Sequence, residues 1–538
     1  MKGGLRQSMA WLHTWTGLLV GWLLLAIFMT GSTSYFQDEI TRWMQPEIDG
    51  PRDTLAAADG AVAWLTTHQP GADSWSITLP GARAIAGSVY WEPAGGAEGD
   101  YASRTAAIDG LGHKVDVRDT LGGFLLYRLH FDMHYVPVIW ARWVVGFCAM
   151  FMLVAIVSGI ITHKKIFSDF FTLRTGKGQR SWLDGHNLAA VLALPFHLMI
   201  TYTGLVTLAS LYMPWGIAAA YAKPDQYYTE AFAIADPPTR SGRIVPMASI
   251  RDMVIDARKA WHGADPGYID IALPGDANGT VTMLRGGGEA MSARGPTLTF
   301  SASTGRLLSP PPVDGGASAT ESVMIGLHAA RYAPTVLRWF YFLCGLAGTA
   351  MVATGLVLWT SKRRLQLPDP ARPHIGFRLV ERLNIATIAG LPTGIASYFL
   401  ANRLLPSGFA GRADWEAHCL FIAWGCVLFV ACVLPVRRAW VVCHTIAAIA
   451  FAAVPVVNAS TTQRDLIHSA LRGDLVYVGF DLTMLGASAA FAFMAWKTHK
   501  SPQGLGGKRA GARRVLAAST HSPASGLSTD AQATSRSS

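Results

Sequence analysis

Apolar residues form eight long runs along the chain. A helix that crosses a bilayer needs roughly 20 mostly apolar residues, and each run is long enough to cross or nearly so. The first run also has the basic start and apolar middle of a secretory signal peptide, but the internal repeat described below favours a retained helix. The pattern therefore predicts eight transmembrane helices, at about 13–33, 138–162, 187–213, 337–360, 383–401, 416–435, 439–457 and 475–496.

Basic residues lie in five short clusters beside these runs. The clusters precede the first run, follow the second, fourth and eighth, and separate the sixth from the seventh. Lys and Arg concentrate in cytoplasmic loops, so all five clusters fall on one side of the membrane and both termini are cytoplasmic. The pattern predicts a multi-pass protein of a bacterial inner (cytoplasmic) membrane.

Composition agrees with this plan. The 538 residues are 51% hydrophobic and only 15% charged, whereas soluble domains average about 25% charged residues. The net charge of +10 is explained by topology, so membrane lipid is an expected partner and nucleic acid is not. The six cysteines form no CxxC pair and no CxxCH motif, which argues against a disulfide framework, a zinc knuckle and a covalently attached c-type haem.

The first four runs and the segments between them form a unit that occurs twice. A histidine precedes a Thr-Gly pair by 17 residues in both halves, and an Arg-Trp pair precedes a Ser/Thr-Gly pair by 16 residues in both. Each half also carries a segment of about 100 residues with a helical stretch followed by short alternating strands. The pairs concerned are Thr30-Gly31, Thr203-Gly204, Ser158-Gly159 and Thr354-Gly355.

The predicted fold class is therefore a membrane all-α bundle of about eight helices with two periplasmic α+β domains and an internally duplicated N-terminal half. The last four runs show no match to the repeat and form an appended block. The predicted divisions are helix 1 (1–35), domain 1 (36–135), helices 2 and 3 with a cytoplasmic loop (136–213), domain 2 (214–332), helix 4 (333–362), the C-terminal four-helix block (363–500) and a disordered cytoplasmic tail (501–538).

Seven of the 16 histidines lie at the membrane in the duplicated half. Transmembrane bundles hold b-type haem through axial histidines on facing helices, and the glycines and alanines near these histidines leave room for a flat macrocycle. The histidines are His13, His163 and His186 at the cytoplasmic ends, His130, His134 and His328 at the periplasmic ends, and His197 inside the third run, 11 residues past His186 and on the same helical face.

The histidines lie at two depths in the membrane, and this arrangement predicts two haem sites. We expect the inner haem to draw its ligands from His13, His163, His186 and His197, and the outer haem to use His328 with His134 or His130. A symmetric choice would pair His13 with His186 and His130 with His328, and the sequence leaves the pairing open. Zinc or copper transport is the weaker reading, because the first four runs carry essentially no Asp or Glu in their apolar cores. No catalytic residue is indicated.

Several motifs together resemble a known family. His13-Thr14-Trp15-Thr16-Gly17, the Leu129-His130 pair, the run from Gly159 to Phe167 and the run from Leu183 to His197 are similar to the PepSY-associated transmembrane helix family. The resemblance covers roughly residues 5–362 and points to its branch of iron-regulated membrane proteins, which includes the FoxB-type ferrisiderophore reductases.

The resemblance implies two periplasmic PepSY domains and two b-type haems that pass electrons outward to a ferric siderophore, which releases Fe(II). No nucleotide- or flavin-binding motif is present, so the electron donor would be a quinol or a separate cytoplasmic reductase. Two alternatives remain open. One is a non-enzymatic anchor or regulator that binds a periplasmic protein or peptide, and the other is a haem protein with a different electron acceptor.

Overall fold

The computed structural model describes residues 4–95, 101–163, 173–231, 237–286, 288, 290–309 and 315–500. The predicted tail, 501–538, lies outside the described residues. The strands are β1 (Ala72–Thr78), β2 (Gly87–Pro93), β3 (Thr105–Ile108), β4 (Lys114–Val115), β5 (Pro266–Ala272), β6 (Thr280–Arg285), β7 (Thr297–Ser301) and β8 (Leu307–Ser309).

Helices make up most of the described chain. They are α1 (Leu5–Ser34), α2 (Gln37–Met44), α3 (Thr54–His68), α4 (Gly122–Leu129), α5 (Val138–Thr162), α6 (Gln179–Leu192), α7 (Leu194–Thr207), α8 (Ala209–Tyr212), α9 (Trp215–Ala220), α10 (Pro224–Ala231), α11 (Ile250–Ala260), α12 (Gly316–Ala329), α13 (Thr335–Arg364), α14 (Ile375–Ile385), α15 (Leu391–Leu404), α16 (Arg412–Val433), α17 (Val436–Thr461), α18 (Leu466–Leu471) and α19 (Leu475–Lys500).

Seven helices of the described residues are long and apolar enough to cross a membrane, and the bent pair α6–α7 makes eight if it counts as one span. The seven are α1, α5, α13, the continuous Ile375–Leu404 helix, α16, α17 and α19. The protein is therefore a multi-pass membrane protein, and the number of spans agrees with the number of apolar runs in the sequence.

The third span is broken rather than straight. Helices α6 and α7 meet at Ala193 with a bend of 67°. Pro195, near the start of α7, lacks the N–H that would bond the carbonyl four residues earlier, and its ring clashes with that carbonyl. The sequence-based placement of His186 and His197 on one face of one helix is therefore wrong, because the two residues lie on different helices.

The segments between the first four spans join into one sheet instead of forming two separate sheets. Its eight antiparallel strands run in the order β4-β3-β2-β1-β5-β6-β7-β8, so β1 and β5 connect the two halves. Trp75 lies opposite Ile271 and Ile77 opposite Ile269 in this central pair. These side chains belong to a core that α3 and α11 cover. The assignment of these segments as PepSY domains, and the duplication itself, stay predictions.

The sheet lies beyond one end of the helical bundle, and we call that end the sheet side. Glu39, just past α1, accepts hydrogen bonds from Arg83 of the β1–β2 loop and from Arg338 of α13, so an ion-pair network ties sheet to bundle. We call the opposite end the basic side, because α13 ends there in Lys362, Arg363 and Arg364.

The C-terminal block packs against the first half through buried polar contacts on the sheet side. The indole N–H of Trp43 donates to Asp481 over 3.1 Å, the hydroxyl of Tyr398 donates to the carbonyl of Gly122 over 2.8 Å, and Thr120 donates to Glu416. The span Ile375–Leu404 is the most buried of the spans and contains a π-helical turn, Ala386–Gly390. The block is thus an integral part of the bundle.

Candidate functional site

Two histidines face each other near the basic side of the bundle. His13 lies in the third turn of α1, and His186 lies in the middle of α6. Their ring centroids are 6.1 Å apart, with an angle of 69° between the ring planes. The Nδ1 atom of His13 lies 2.8 Å from the carbonyl oxygen of Ala155, and that of His186 lies 2.8 Å from the carbonyl oxygen of Met351. We call these two residues the basic-side pair.

A second pair lies near the sheet side. His130 follows α4 directly, and His328 lies in the last turn of α12. Their ring centroids are 5.9 Å apart, with an angle of 32° between the ring planes. Nδ1 of His130 lies 2.8 Å from the carbonyl oxygen of Ile27, and Nδ1 of His328 lies 3.1 Å from that of Ile200. We call these two residues the sheet-side pair.

Each of the four imidazoles rests on a glycine of a neighbouring helix. A Cβ atom at Gly159 would lie 3.2 Å from His13, and one at Gly355 would lie 3.2 Å from His186. The corresponding distances are 2.6 Å from Gly31 to His130 and 2.9 Å from Gly204 to His328. Only the absence of a side chain lets the rings approach the helices so closely.

The carbonyl that each imidazole contacts lies four residues before that glycine. In an α-helix this carbonyl already accepts the glycine N–H, and its second lone pair is free to accept the Nδ1–H of the imidazole. A Nδ1–H···O=C bond fixes the tautomer, so the lone pair of Nε2 is available to a metal ion. The residue before each glycine is Ser158, Thr354, Thr30 or Thr203, and each hydroxyl bonds to its own helix.

The separation of the two rings in each pair is compatible with two imidazoles that would bind one metal ion. An imidazole nitrogen lies about 1.1 Å from its ring centroid and about 2.0 Å from a bound metal ion, so two opposed ligands place their centroids about 6 Å apart. The described residues contain no group of three or more His, Cys, Asp or Glu side chains arranged around a metal ion. Each pair therefore offers two imidazoles, which is the number that a b-type haem with two histidine ligands would need.

The interval between the two pairs contains one buried histidine. Ile27 follows His13 by 14 residues, which corresponds to about 21 Å along α1. His197 is only 1% exposed in this interval, and its ring contacts Phe28 with centroids 5.9 Å apart. Its Nε2 lies 3.3 Å from the carbonyl oxygen of Cys344.

The other candidate histidines lie outside both pairs. His163 ends α5 and is close enough to interact electrostatically with His13 and His186. His134 stacks on Phe421 of the C-terminal block, with ring centroids 5.6 Å apart. Met133 and His134 both have positive φ angles, 53° and 41°. This turn directs His134 towards the C-terminal block, whereas His130 faces His328.

The symmetric pairing is thus the one that the geometry brings together. Sequence analysis offered this pairing as the symmetric choice and left it open against His134, and it treated the glycines near the histidines as room for a macrocycle without assigning one glycine to each ring. The signal that could have found the sites was already there. One Ser/Thr-Gly pair occurs in each of four helices, and each of these four glycines lies beneath one imidazole.

The family comparison covers the part of the chain that contains both pairs. The family described as the PepSY-associated TM region matches residues 10–362, which include all four paired histidines and all four glycines. The chain belongs to this family. Comparison with curated proteins finds no match. The prediction of a PepSY-associated transmembrane protein is confirmed at the level of the family, and the C-terminal block of this PepSY-associated protein lies beyond the matched region.

Proposed function

We propose that this protein is a di-haem b electron carrier that reduces a ferric siderophore on the sheet side of the membrane. The observation that carries the proposal is the set of four equivalent imidazole sites, which form two pairs about 6 Å across. Bound haem would supply a one-electron Fe(III)/Fe(II) couple in each pair. His13 and His186 would hold one haem, and His130 and His328 the other.

The protein contributes imidazole ligands that are held in fixed orientations and a buried interval between the two pairs. The carbonyls of Ala155, Met351, Ile27 and Ile200 hold the rings in one tautomer, and a hydrogen bond to the distal nitrogen raises ligand basicity. Phe28 and His197 contact each other in the interval between the pairs, and His197 is buried there. Burial and ligand basicity are the two means by which this chain would set the potential of each site.

Orientation follows from the basic clusters. We propose that the basic side faces the cytoplasm and the sheet lies in the periplasm of a bacterium with this protein in its inner membrane. Electrons would enter at the basic-side pair and leave at the sheet-side pair. Fe(III) in a siderophore is held by hard oxygen donors that bind Fe(II) far more weakly, so one-electron reduction at the periplasmic face would release the iron.

An absorption spectrum of the purified full-length protein tests the proposal. We expect about two b-type haems per chain, reducible by dithionite and reoxidised when a ferric siderophore is added. Reoxidation by another acceptor, such as Cu(II), but not by ferric siderophores would retain the electron carrier and replace its substrate. A colourless protein from haem-replete cells would contradict the proposal and favour the anchor or regulator that binds a periplasmic protein or peptide.

A further inference from the structure

A small cavity lies on the basic side, where α13, α14 and α17 meet. Its volume is about 150 Å³, and a cavity of this size holds one six-membered ring. The first four of its lining residues come from α13, the next two from α14 and the last from α17. They are Val357, Thr360, Ser361, Arg364, Glu381, Asn384 and Trp440.

One wall of the cavity is a buried carboxylate that is only half satisfied. Glu381 is 7% exposed. Its Oε1 accepts a hydrogen bond from Arg364 over 2.5 Å, whereas its buried Oε2 has no partner among the described residues. Leaving a buried acceptor without a donor is unfavourable, and more so when the acceptor is charged. The cavity therefore calls for an occupant that brings a hydrogen-bond donor to Oε2.

The remaining walls restrict the chemistry of that occupant. Asn384 uses its oxygen for the indole N–H of Trp22, over 2.9 Å, and one amide hydrogen for the carbonyl of Leu356, over 3.1 Å. Its second amide hydrogen can donate to an oxygen in the cavity. Trp440 supplies an aromatic wall. A flat neutral ring that bears hydroxyl groups matches these walls. The carboxylate of Glu381 disfavours an anion, and its ion pair with Arg364 removes the attraction that a free carboxylate would have for a cation.

The cavity lies next to the basic-side pair, across one helix. Gly355, on which His186 rests, lies on the opposite face of α13 from Val357, Thr360, Ser361 and Arg364, because successive residues turn by about 100°. The two faces are separated by about one helix diameter, roughly 10 Å. Asn384 also bridges α1, which carries His13, and α13, which carries the Gly355 beneath His186, since Trp22 belongs to α1 and Leu356 to α13.

We propose that this cavity binds the ring of a membrane hydroquinone, which is the electron donor of the protein. The proposal rests on the function proposed above. The hydroquinone gives up two electrons and two protons and becomes a quinone. The two electrons would pass one at a time to the haem that His13 and His186 would hold, and the first would move on towards the sheet-side pair before the second follows. Oε2 of Glu381 accepts the protons one at a time and releases each of them to water on the basic side.

Photoaffinity labelling tests binding without relying on haem. The full-length protein is illuminated with an azido derivative of a short-chain ubiquinone, and the labelled peptides are mapped. We expect labels in residues 357–364 or 436–444, and competition by decyl-ubiquinone but not by phosphatidylglycerol. Ser361→Leu fills the cavity and should abolish this labelling. Labels elsewhere, labelling that survives Ser361→Leu, or equal competition by the phospholipid would overturn the proposal.

Haem reduction tests the donor role. With decyl-ubiquinol as reductant, we expect Glu381→Gln and Ser361→Leu to slow reduction at least tenfold, while dithionite still reduces both haems. The matched control is Glu416→Gln, a buried glutamate on the sheet side whose two oxygens already have partners, and it should reduce at the normal rate. Two haems with unchanged quinol reduction in both variants would overturn the donor site alone. A wild-type protein without haem would instead overturn the function proposed above, and labelling would still report on the cavity.

Discussion

The two histidine pairs share one plan but differ in how tightly their rings are held. Each ring has a helix carbonyl at Nδ1 and a glycine beneath it. Hypothetical Cβ atoms at Gly31 and Gly204 come within 2.6 and 2.9 Å of the sheet-side rings, whereas those at Gly159 and Gly355 stay at 3.2 Å from the basic-side rings. Real Cβ contacts are essentially never shorter than 3.0 Å, so the sheet-side pair has no tolerance for a larger residue.

The two pairs also differ in where their histidines come from. His13 and His186 belong to helices of the membrane bundle itself. His130 and His328 end α4 and α12, which connect the sheet to the bundle. The segment after His130 is held by Asp132, which accepts hydrogen bonds from Arg128 and Arg142. Both pairs therefore share a Ser/Thr-Gly surface on a membrane helix. The imidazole that contacts this surface comes from the bundle in one pair and from the segments that connect to the sheet in the other.

The largest effect should follow from removing one ring of either pair. We expect His186→Ala and His328→Ala each to lower the haem content from about two to about one per chain, because a lone imidazole leaves one axial position without its ligand. The remaining ferric haem should differ between the two variants in its electron paramagnetic resonance signal, since the ring planes meet at 69° in one pair and at 32° in the other. Haem extraction and spectroscopy of the purified variants measure both.

His197→Ala is the matched control for these two variants. It also removes a buried imidazole from a membrane helix, but from outside both pairs, so both haems should remain. Loss of a haem in His197→Ala, or two haems in His328→Ala, would mean that the pairs do not hold the haems in this way.

The sequence predicted the membrane plan well because its signals are long. Runs of about 20 apolar residues specify spans whatever their neighbours do, and the number of spans agrees with the structure. The family could also be recognised from short motifs of consecutive residues, such as His13-Thr14-Trp15-Thr16-Gly17. These features depend on composition and spacing along one stretch of chain.

The pairing of the histidines depended on local backbone geometry that spacing does not reveal. Pro195 bends the third span and takes His197 off the face that carries His186. The positive φ angles of Met133 and His134 direct His134 away from His328. Likewise, Glu381 and Asn384 gave no signal in the sequence, because their cavity forms only where three helices from different parts of the chain meet.

A smaller effect should distinguish the two glycines that lie closest to an imidazole ring from the two that lie farther away. Gly31→Ala places a methyl group 2.6 Å from the ring of His130, so the ring must move and its bond to Ile27 is lost. We expect most of the sheet-side haem to be lost in this variant. Gly355→Ala needs a shift of only a few tenths of an ångström at His186, and the basic-side haem should be retained. The haem content of each variant, and the temperature at which it loses the absorption spectrum of reduced haem, measure the difference.

Gly425→Ala is the control for an added methyl group in a membrane helix. Nothing lies within 4 Å of a Cβ atom at Gly425, so this variant should match the wild type. If Gly355→Ala proved more damaging than Gly31→Ala, the order of tightness between the two pairs would be reversed.

The smallest effect should come from one hydroxyl that distinguishes the sheet-side pair. Oγ1 of Thr203 lies 3.1 Å from Nδ1 of His328, in addition to the carbonyl of Ile200. Among the described residues, the hydroxyl of the corresponding Thr354 bonds to carbonyls of its own helix. Thr203→Val removes a hydrogen-bond acceptor for Nδ1–H, which lowers ligand basicity and destabilises Fe(III) relative to Fe(II). We expect the sheet-side haem to rise in midpoint potential by about 20–40 mV, equivalent to about 0.5–1 kcal/mol.

Thr354→Val should leave the basic-side potential unchanged in the same redox titration. Equal shifts in both variants would place the cause in helix packing, since the hydroxyl of Thr203 contacts a histidine ring and that of Thr354 bonds to its own helix.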